Sequence, residues 1–201
     1  MRSTPPAILG AVEGAVDESV LQRLIAEAGG LLAAVYGKEG KGALRRDIRG
    51  YNNSARSFPW VVLIDLDRDS ACVPPFLAEW LPKPAPLMRF RVAVRAIEAW
   101  LLADRRSMAA FLRVPLNRIP DDTDSLPDPK RYLVDLARHS RRPGIRQDMV
   151  PRDGSGRSVG PAYASRLAEF ADRVWRPGEA AQHSDSLRRC RQRIAELVVK
   201  A

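Results

Sequence analysis

The first half of the chain alternates short apolar runs with segments in which apolar residues recur at helical spacing. Four runs are short, apolar or alternating, and bounded by turn or charged residues, which predicts strands over residues 7–12, 31–36, 60–64 and 88–94. The intervening segments predict helices over residues 17–28, 44–51 and 74–80, with Asp17 as the N-cap of the first. Strands that alternate with helices predict an α/β fold with a mostly parallel sheet of about four strands.

The strand pattern ends near residue 104. Beyond the fourth strand, the sequence predicts helices over residues 96–103, 105–112, 129–138, 161–175 and 184–199. A segment rich in Pro and Gly over residues 141–161 predicts a long loop. We therefore expect an α/β core over residues 1–104 and a helical C-terminal region over residues 105–201 that packs on it.

Length and composition fit one α/β domain with a helical extension, since the chain has 201 residues of which 45% are hydrophobic. No apolar run approaches the roughly 18 residues that cross a bilayer, and the first residues lack the pattern of a signal peptide. The two cysteines, Cys72 and Cys190, indicate neither a disulfide framework nor a zinc site. These features favour a cytoplasmic protein with no membrane partner.

The chain is basic, with a net charge of +9, and 33 basic residues stand against 24 acidic ones. Most of the basic residues are Arg, whose planar fork suits phosphate. Such a charge is typical of nucleic-acid binding, but also of a solvated surface under compositional bias. The candidate phosphate contacts are Lys41, Arg45, Arg46, Arg49, Lys130 and Arg131. The last two open a stretch to residue 157 with eight basic residues and three Asp.

Acidic residues follow the predicted strands. Glu13 follows the first strand, Asp65 and Asp67 follow the third, and Glu98 lies just past the fourth. Ligands of open parallel sheets bind beyond the carboxyl ends of the strands, so these acids are expected to converge. Asp65 and Asp67 are two residues apart, which on an extended chain points both to one side. Crowded carboxylates repel one another, and a Mg²⁺ or Mn²⁺ ion relieves that repulsion.

Each acid also has a simpler interpretation. Glu13 precedes Gly14, a pair common at turns, and an Asp after a strand often caps the next helix. Glu98 is compatible with an exposed helical position or with an ion pair to Arg91 or Arg95. The combination of the acids and their order favours a site.

That order resembles the Toprim fold of topoisomerases, bacterial primases and overcoming-lysogenisation-defect nucleases: a strand with Glu13-Gly14, a helix, then a strand with Asp65-Leu66-Asp67. A longer pattern resembles a Toprim-like family of uncharacterised bacterial proteins, known as a domain of unknown function. Its most distinctive segment is Glu-Ala-Trp-Leu-Leu-Ala-Asp at residues 98–104. The matching stretches are residues 12–18, 40–42, 62–69, 91–104, 128–130 and 184–187, nearly the whole length.

The resemblance implies a Toprim-like three-layer sandwich and a role for each acid. Glu13 corresponds to a metal ligand or general acid/base, and Asp65 and Asp67 to the Mg²⁺-binding pair. Asp17 matches a second acidic position of nuclease versions. Glu98 has no counterpart in the classical motif and is a candidate replacement for a later metal ligand. The implied activity is a nuclease, or a related phosphodiester transfer, on DNA or RNA with Mg²⁺ or Mn²⁺. Related families imply phage defence beside a separately encoded ATPase.

Other functions stay open. The chain is compatible with an inert nucleic-acid-binding module, or with an effector subunit of that ATPase. It lacks the size and the evident nucleophilic Tyr of a topoisomerase, and residues 37–42 are not a P-loop. A response-regulator-like or ribonuclease-H-like site ranks lower, because the fourth strand is Arg-rich and no early antiparallel meander is predicted. A sheet edge or an apolar helical face would support a homo-oligomer.

Overall fold

A computed structural model describes residues 4–201, which form an α/β sandwich around a parallel four-stranded sheet in the order β2-β1-β3-β4. The strands are β1 Ala7–Val12, β2 Leu31–Gly37, β3 Trp60–Asp65 and β4 Met88–Ala93. The predicted fold class, a Toprim-like sandwich with a mostly parallel sheet and a helical C-terminal extension, is confirmed at the level of architecture.

Helices link the strands and then fill the C-terminal region. Those between strands are α1 Ala15–Glu27, α2 Lys41–Ser54 and α3 Val73–Trp80. After β4 come α4 Ile97–Ala103, α5 Arg105–Leu112, a 3-10 turn at Leu116–Arg118, α6 Pro129–Arg138, α7 Pro143–Met149, α8 Tyr163–Arg173, α9 Pro177–Ala180 and α10 Asp185–Lys200.

The sheet brings the ends of β1 and β3 side by side. β1 pairs with β2 on one side and with β3 on the other, so the strand order reverses at β1. β3 also pairs with β4, with Asp65 opposite Ala93. Glu13 and Asp65 therefore leave adjacent central strands at the carboxyl edge, where open α/β sheets place their ligands.

Both faces of the sheet are covered, because alternate residues of a buried strand face opposite layers. Val61 and Leu63 belong to the core beneath α1 and the C-terminal helices. Val62 and Ile64 belong to a second core beneath α2 and α3. The result is a three-layer sandwich.

The C-terminal helices share the larger core with the sheet. That core holds Val61 and Trp100 together with Phe170, Trp175 and Leu197. Two indole N–H groups also cross the junction: Trp100 donates to Ser186 Oγ at 2.6 Å, and Trp175 donates to the Trp100 carbonyl at 3.2 Å. These helices therefore contribute to one continuous interior.

Several predicted element bounds were wrong. α1 begins at Ala15 with Gly14 as its N-cap, so Asp17 lies in the first turn and is not the cap. α2 begins at Lys41, inside the segment that was predicted as a flexible loop. The long loop predicted over residues 141–161 contains α7. Within residues 4–201, no helix is both long and apolar enough to cross a membrane.

Candidate acidic site

Glu13 joins the ends of the two central strands. Its Oε1 accepts a hydrogen bond from the Asp65 backbone N–H at 2.8 Å. Its backbone carbonyl accepts from the Gly40 N–H at 3.1 Å, which holds the loop before α2 beside the site. Burial raises the pKa of Glu13 above its ordinary value. A backbone N–H therefore fixes the Glu13 carboxyl group, while burial disfavours its ionised form.

Asp65 ends β3 and points its carboxylate at the start of α4. Its Oδ1 accepts from the Ile97 backbone N–H at 2.8 Å, an interaction that the positive N-terminal end of a helix favours. Burial, and then the negative charges of Asp17 and Glu98, raise the pKa of Asp65 well above its ordinary value. Groups of α1 and of α4 thus act on the carboxyl group of Asp65 at the end of β3.

Asp67 does not share the extended backbone of Asp65, so the extended chain on which the prediction of a common side rested is absent here. It lies in a turn after β3 with a left-handed φ of 50°, a conformation that Asp tolerates better than most residues. Its exposed carboxylate lies 2.6 Å from Lys41 Nζ, which also lies 2.7 Å from Asp69. The Arg95 guanidinium donates to the Asp67 and Ser70 carbonyls at 3.2 and 3.0 Å and holds this turn.

Lys41 bridges the acids of this turn at the start of α2. Burial lowers the pKa of its ammonium, but the hydrogen bonds to Asp67 and Asp69 outweigh that effect and raise it. The group is therefore a fixed positive charge at the rim of the site.

Asp17 projects from the first turn of α1 into the protein, and only 7% of the residue is exposed. Its Oδ1 makes no hydrogen bond within residues 4–201. Burial, with repulsion from Glu13 and Glu98, raises the pKa of Asp17 to about 7. A buried carboxylate oxygen without a donor is costly, so this group either takes a proton or needs a cation.

Glu98 lies on α4 and is 3% exposed, so the prediction of an exposed position was wrong. The alternative of a pair with Arg91 or Arg95 was also wrong. Its Oε1 accepts from the Tyr163 hydroxyl at 3.1 Å and lies 3.8 Å from Lys130 Nζ. Oε2 has no hydrogen-bond partner in the part of the chain that the structure describes. Burial raises the pKa of Glu98, and the charge of Lys130 opposes that rise.

Tyr163 was absent from the predicted site. It is 5% exposed at the start of α8, and burial beside Glu98 raises its pKa well above the ordinary value. Its partner is 65 positions earlier in the chain. The sequence near Tyr163 shows only a helical pattern, so no local signal marks its contact with the acids.

The six predicted basic contacts fall into three sets. Lys41 and Lys130 lie among the acids, and the charge of Glu98 is the main reason that the pKa of Lys130 is raised. Arg49 is exposed on α2. The remaining three lie near local carboxylates: Arg45 with Glu79, Arg46 with Asp47, and Arg131 with Asp135.

A pocket of about 290 Å³ opens beside the acids. Its lining includes Asp67, Asp69, Arg95, Asp128 and Lys130. This volume lies at the lower end of the range for small-ligand sites. The mixture of carboxylates with Arg and Lys suits a ligand that combines a cation with phosphate oxygens.

The donor chemistry fits a hard divalent cation. Within residues 4–201, no three His, Cys, Asp or Glu side chains are gathered closely enough to hold a metal ion as they stand. The donors present are carboxylate oxygens, the type that Mg²⁺ and Mn²⁺ take. Asp17 Oδ1 and Glu98 Oε2 are buried without partners. A buried carboxylate oxygen of this kind is satisfied either by a proton or by a cation.

No protein-family model, curated protein or solved structure matches this chain.

Proposed function

We propose that this chain is a Toprim-like nuclease, or a related phosphodiester-transfer protein, that uses Mg²⁺ or Mn²⁺ and acts on DNA or RNA. The observation that carries the proposal is the crowding of acids at the carboxyl edge of the sheet. Glu13, Asp17, Asp65 and Glu98 come from three regions of the chain, and burial raises the pKa of each. A cation relieves such crowding while the acids stay charged.

The acids are the residues that would hold the ion. Glu13, Asp65 and Asp67 are the proposed main ligands, with Asp17 and Glu98 as further ones. When bound, Mg²⁺ supplies charge neutralisation at a phosphodiester and a more acidic water for the attack.

The chain's own groups supply the remaining steps. Glu13 Oε1 is occupied by the Asp65 N–H, so proton transfer in this proposal falls to its Oε2. Lys41 is held by Asp67 and Asp69. If Asp67 turned to a cation, the Lys41 ammonium would keep Asp69 as its partner and could also donate to a phosphate oxygen. Lys130, which lines the pocket, offers a second positive charge.

One observation favours the alternative of an inert binding module. Lys41 already neutralises the Asp67 carboxylate, at an Nζ to Oδ2 distance of 2.6 Å. In that alternative the scaffold binds nucleic acid without cutting it. An effector role beside a separately encoded ATPase, in cytoplasmic phage defence, is proposed only on the resemblance to related families.

Cleavage of supercoiled plasmid, single-stranded DNA and single-stranded RNA, with Mg²⁺ or Mn²⁺ and an EDTA control, tests the proposal. We expect metal-dependent nicking, and a loss of at least about 100-fold in Asp65→Asn. Asn keeps an oxygen for the Ile97 N–H but removes the ligand charge. Asp172→Asn, at an exposed position of α8, is the matched control and should cut like the wild type.

Two results would count against the nuclease. Equal cleavage by Asp65→Asn and wild type would place the activity elsewhere. No cleavage with either metal would favour the inert module, unless addition of the ATPase restored it and so indicated the effector subunit.

A further inference from the structure

A groove lies on the C-terminal helices, away from the acids. It consists of two adjoining depressions of about 600 Å³ each, which share Ala110 and Arg142. Arg113 and Arg141 line the first, and Arg106 lines the second. We call these two depressions, with Arg106, Arg113, Arg141 and Arg142, the arginine groove.

The four arginines of the arginine groove are not neutralised by ion pairs with acidic residues in the part of the chain that the structure describes. All four are exposed, and none makes a salt bridge within residues 4–201. Arg176, which also lines the second depression, differs because it pairs with Asp104 at 3.0 Å. No acidic residue lines either depression. Arg45, Arg46 and Arg131 lie near carboxylates, so the groove is a better place for a polyanion than these three predicted contacts. Arg141 and Arg142 of the groove belong to the predicted basic stretch that ends at residue 157.

The arrangement of α5 places positive charge and apolar surface together. Arg106 and Ala110 are four residues apart, so they share one face of α5. Arg113 follows as the C-cap of α5 and lines the first depression together with Ala110. Leu116 is 40% exposed in the first depression, and Val174 is 38% exposed in the second. The groove therefore offers apolar contacts beside its guanidinium groups.

The groove is separate from the acidic site. α4 begins at Ile97, which the Asp65 carboxylate contacts, and is followed by Asp104, which caps α5. A helix of that length spans about 10 Å. The groove is lined by residues that come after α4 in the chain, and it shares no lining residue with the pocket beside the acids.

We propose that the arginine groove binds single-stranded nucleic acid, with phosphates on the arginines and base or sugar faces against Leu116 and Val174. This inference rests on the proposed nuclease function, because it identifies the substrate of that activity as a polymer that extends from the acidic site to the groove. A duplex keeps its base faces stacked inside, whereas a single strand exposes them to an apolar floor. The binding itself requires no metal.

Fluorescence polarisation in EDTA tests the groove with labelled oligothymidylate and oligouridylate of about 20 nucleotides and a duplex of equal length. We expect either single strand to bind at least tenfold more tightly than the duplex. Arg106→Glu/Arg142→Glu should weaken single-strand binding at least tenfold. The plot of log affinity against log salt should also flatten by about 0.7 for each phosphate that the variant no longer neutralises.

Arg23→Glu/Arg56→Glu is the matched control, because it reverses two exposed arginines outside the groove and gives the same net charge. It should bind like the wild type. Leu116→Ser should weaken single-strand binding a few-fold and leave the salt dependence unchanged. Circular dichroism and thermal melting of each variant separate a binding defect from a folding defect, and Arg106→Gln/Arg142→Gln is a milder second variant.

Several outcomes would contradict the proposal that the groove binds single-stranded nucleic acid. These are no binding in EDTA, equal binding of duplex and single strand, or equal losses of affinity in the groove and control variants. Tighter binding of polyglutamate than of either oligonucleotide, with the same arginine dependence, would assign the groove to an acidic protein instead. If the protein binds single strands but cuts none of the substrates, the groove proposal stands and the nuclease proposal fails. If it cuts but does not bind through the groove, only the nuclease proposal stands.

Discussion

At the scale of single residues, the acids of this protein oppose its folding when no cation is present. Asp17 and Glu98 each bury an oxygen that has no hydrogen-bond partner in the chain from residue 4 to residue 201. Burial raises the pKa of both groups, which means that the folded protein favours their protonated forms. Such groups contribute most stability at low pH and lose it as the pH rises.

Asp17→Asn should therefore stabilise the metal-free protein at alkaline pH. The pKa of Asp17 is about 7 in the folded protein and ordinarily 3.8, so the stability from this group is full below about 4 and is lost as pH rises through 7. Each pKa unit corresponds to about 1.4 kcal/mol. In EDTA at pH 8 we expect the variant's Tm to exceed that of the wild type by at least about 4 °C.

The same melting experiment at pH 4 is the internal comparison, because Asp17 is then largely protonated and the difference should nearly vanish. A Tm gain that is equal at both values would show that the effect does not come from ionisation. Addition of Mg²⁺ at pH 8 should narrow the gap if Asp17 serves as a ligand.

The sequence predicted which acids to suspect, but not their surroundings. Glu13 and Asp65 follow strong apolar runs, and the parallel sheet brings such strand ends together. The neighbours of Glu98 could not be predicted, since Tyr163 and Lys130 come from distant helices. The backbone turn at Asp67 likewise depends on Arg95, which no local pattern links to it.

At the scale of elements, the N-terminal end of α10 is held by Asp124, a residue from a distant loop. Asp124 accepts from the Ser184 hydroxyl at 2.6 Å and from the Ser186 N–H at 2.9 Å, just where α10 begins. Ser184 in turn accepts from the Leu187 N–H at 3.2 Å, as an N-cap does. The loop and the helix are thus tied by polar groups that would otherwise lack partners.

Asp124→Ala should loosen α10. It leaves the Ser184 hydroxyl and the Ser186 N–H without their acceptor, at a cost of about 1–3 kcal/mol. We expect Tm to fall by about 2–10 °C and the amide hydrogens of the first turn of α10 to exchange faster. Asp153→Ala, in an exposed turn, is the control and should leave both unchanged. Equal exchange rates in the two variants would contradict the capping role.

Strong patterns made the strands predictable, and weak ones hid the short helices. Trp60–Asp65 is buried through most of its length, so its apolar run is continuous and easily recognised. Pro143–Met149 has only seven residues and begins with Pro-Gly, which indicates a turn equally well. α2 extends back to Lys41 because Gly40, at φ 82°, provides its N-cap without any side-chain signal.

At the scale of the whole molecule, the sheet depends on the C-terminal helices for one of its two layers. α1 packs against α8, and α10 packs against β4 and α1. Phe170 and Trp175 are fully buried in the same core as Val61 and Trp100. Removal of the helical region would therefore expose a large apolar face.

A chain cut after residue 104 should fail to fold cooperatively. The exposed face would carry Trp100, Leu24 and Val61, far more apolar surface than a stable monomer leaves in water. We expect the fragment to bind a hydrophobic dye, to aggregate at micromolar concentration and to show no sharp thermal transition, unlike the full chain. A sharp transition in calorimetry would contradict this and would show that residues 1–104 fold alone.

The shared core also affects how the protein is made. The helix that covers β4 is α10, which is synthesised well after the four strands, so that face of β4 stays uncovered until α10 emerges. At usual rates of synthesis roughly 5–20 s pass between residue 104 and the end of α10 at Lys200, and the face stays uncovered during that time. During this interval the apolar strands are open to chaperones and to neighbouring nascent chains, so slower translation should lower the yield of folded protein.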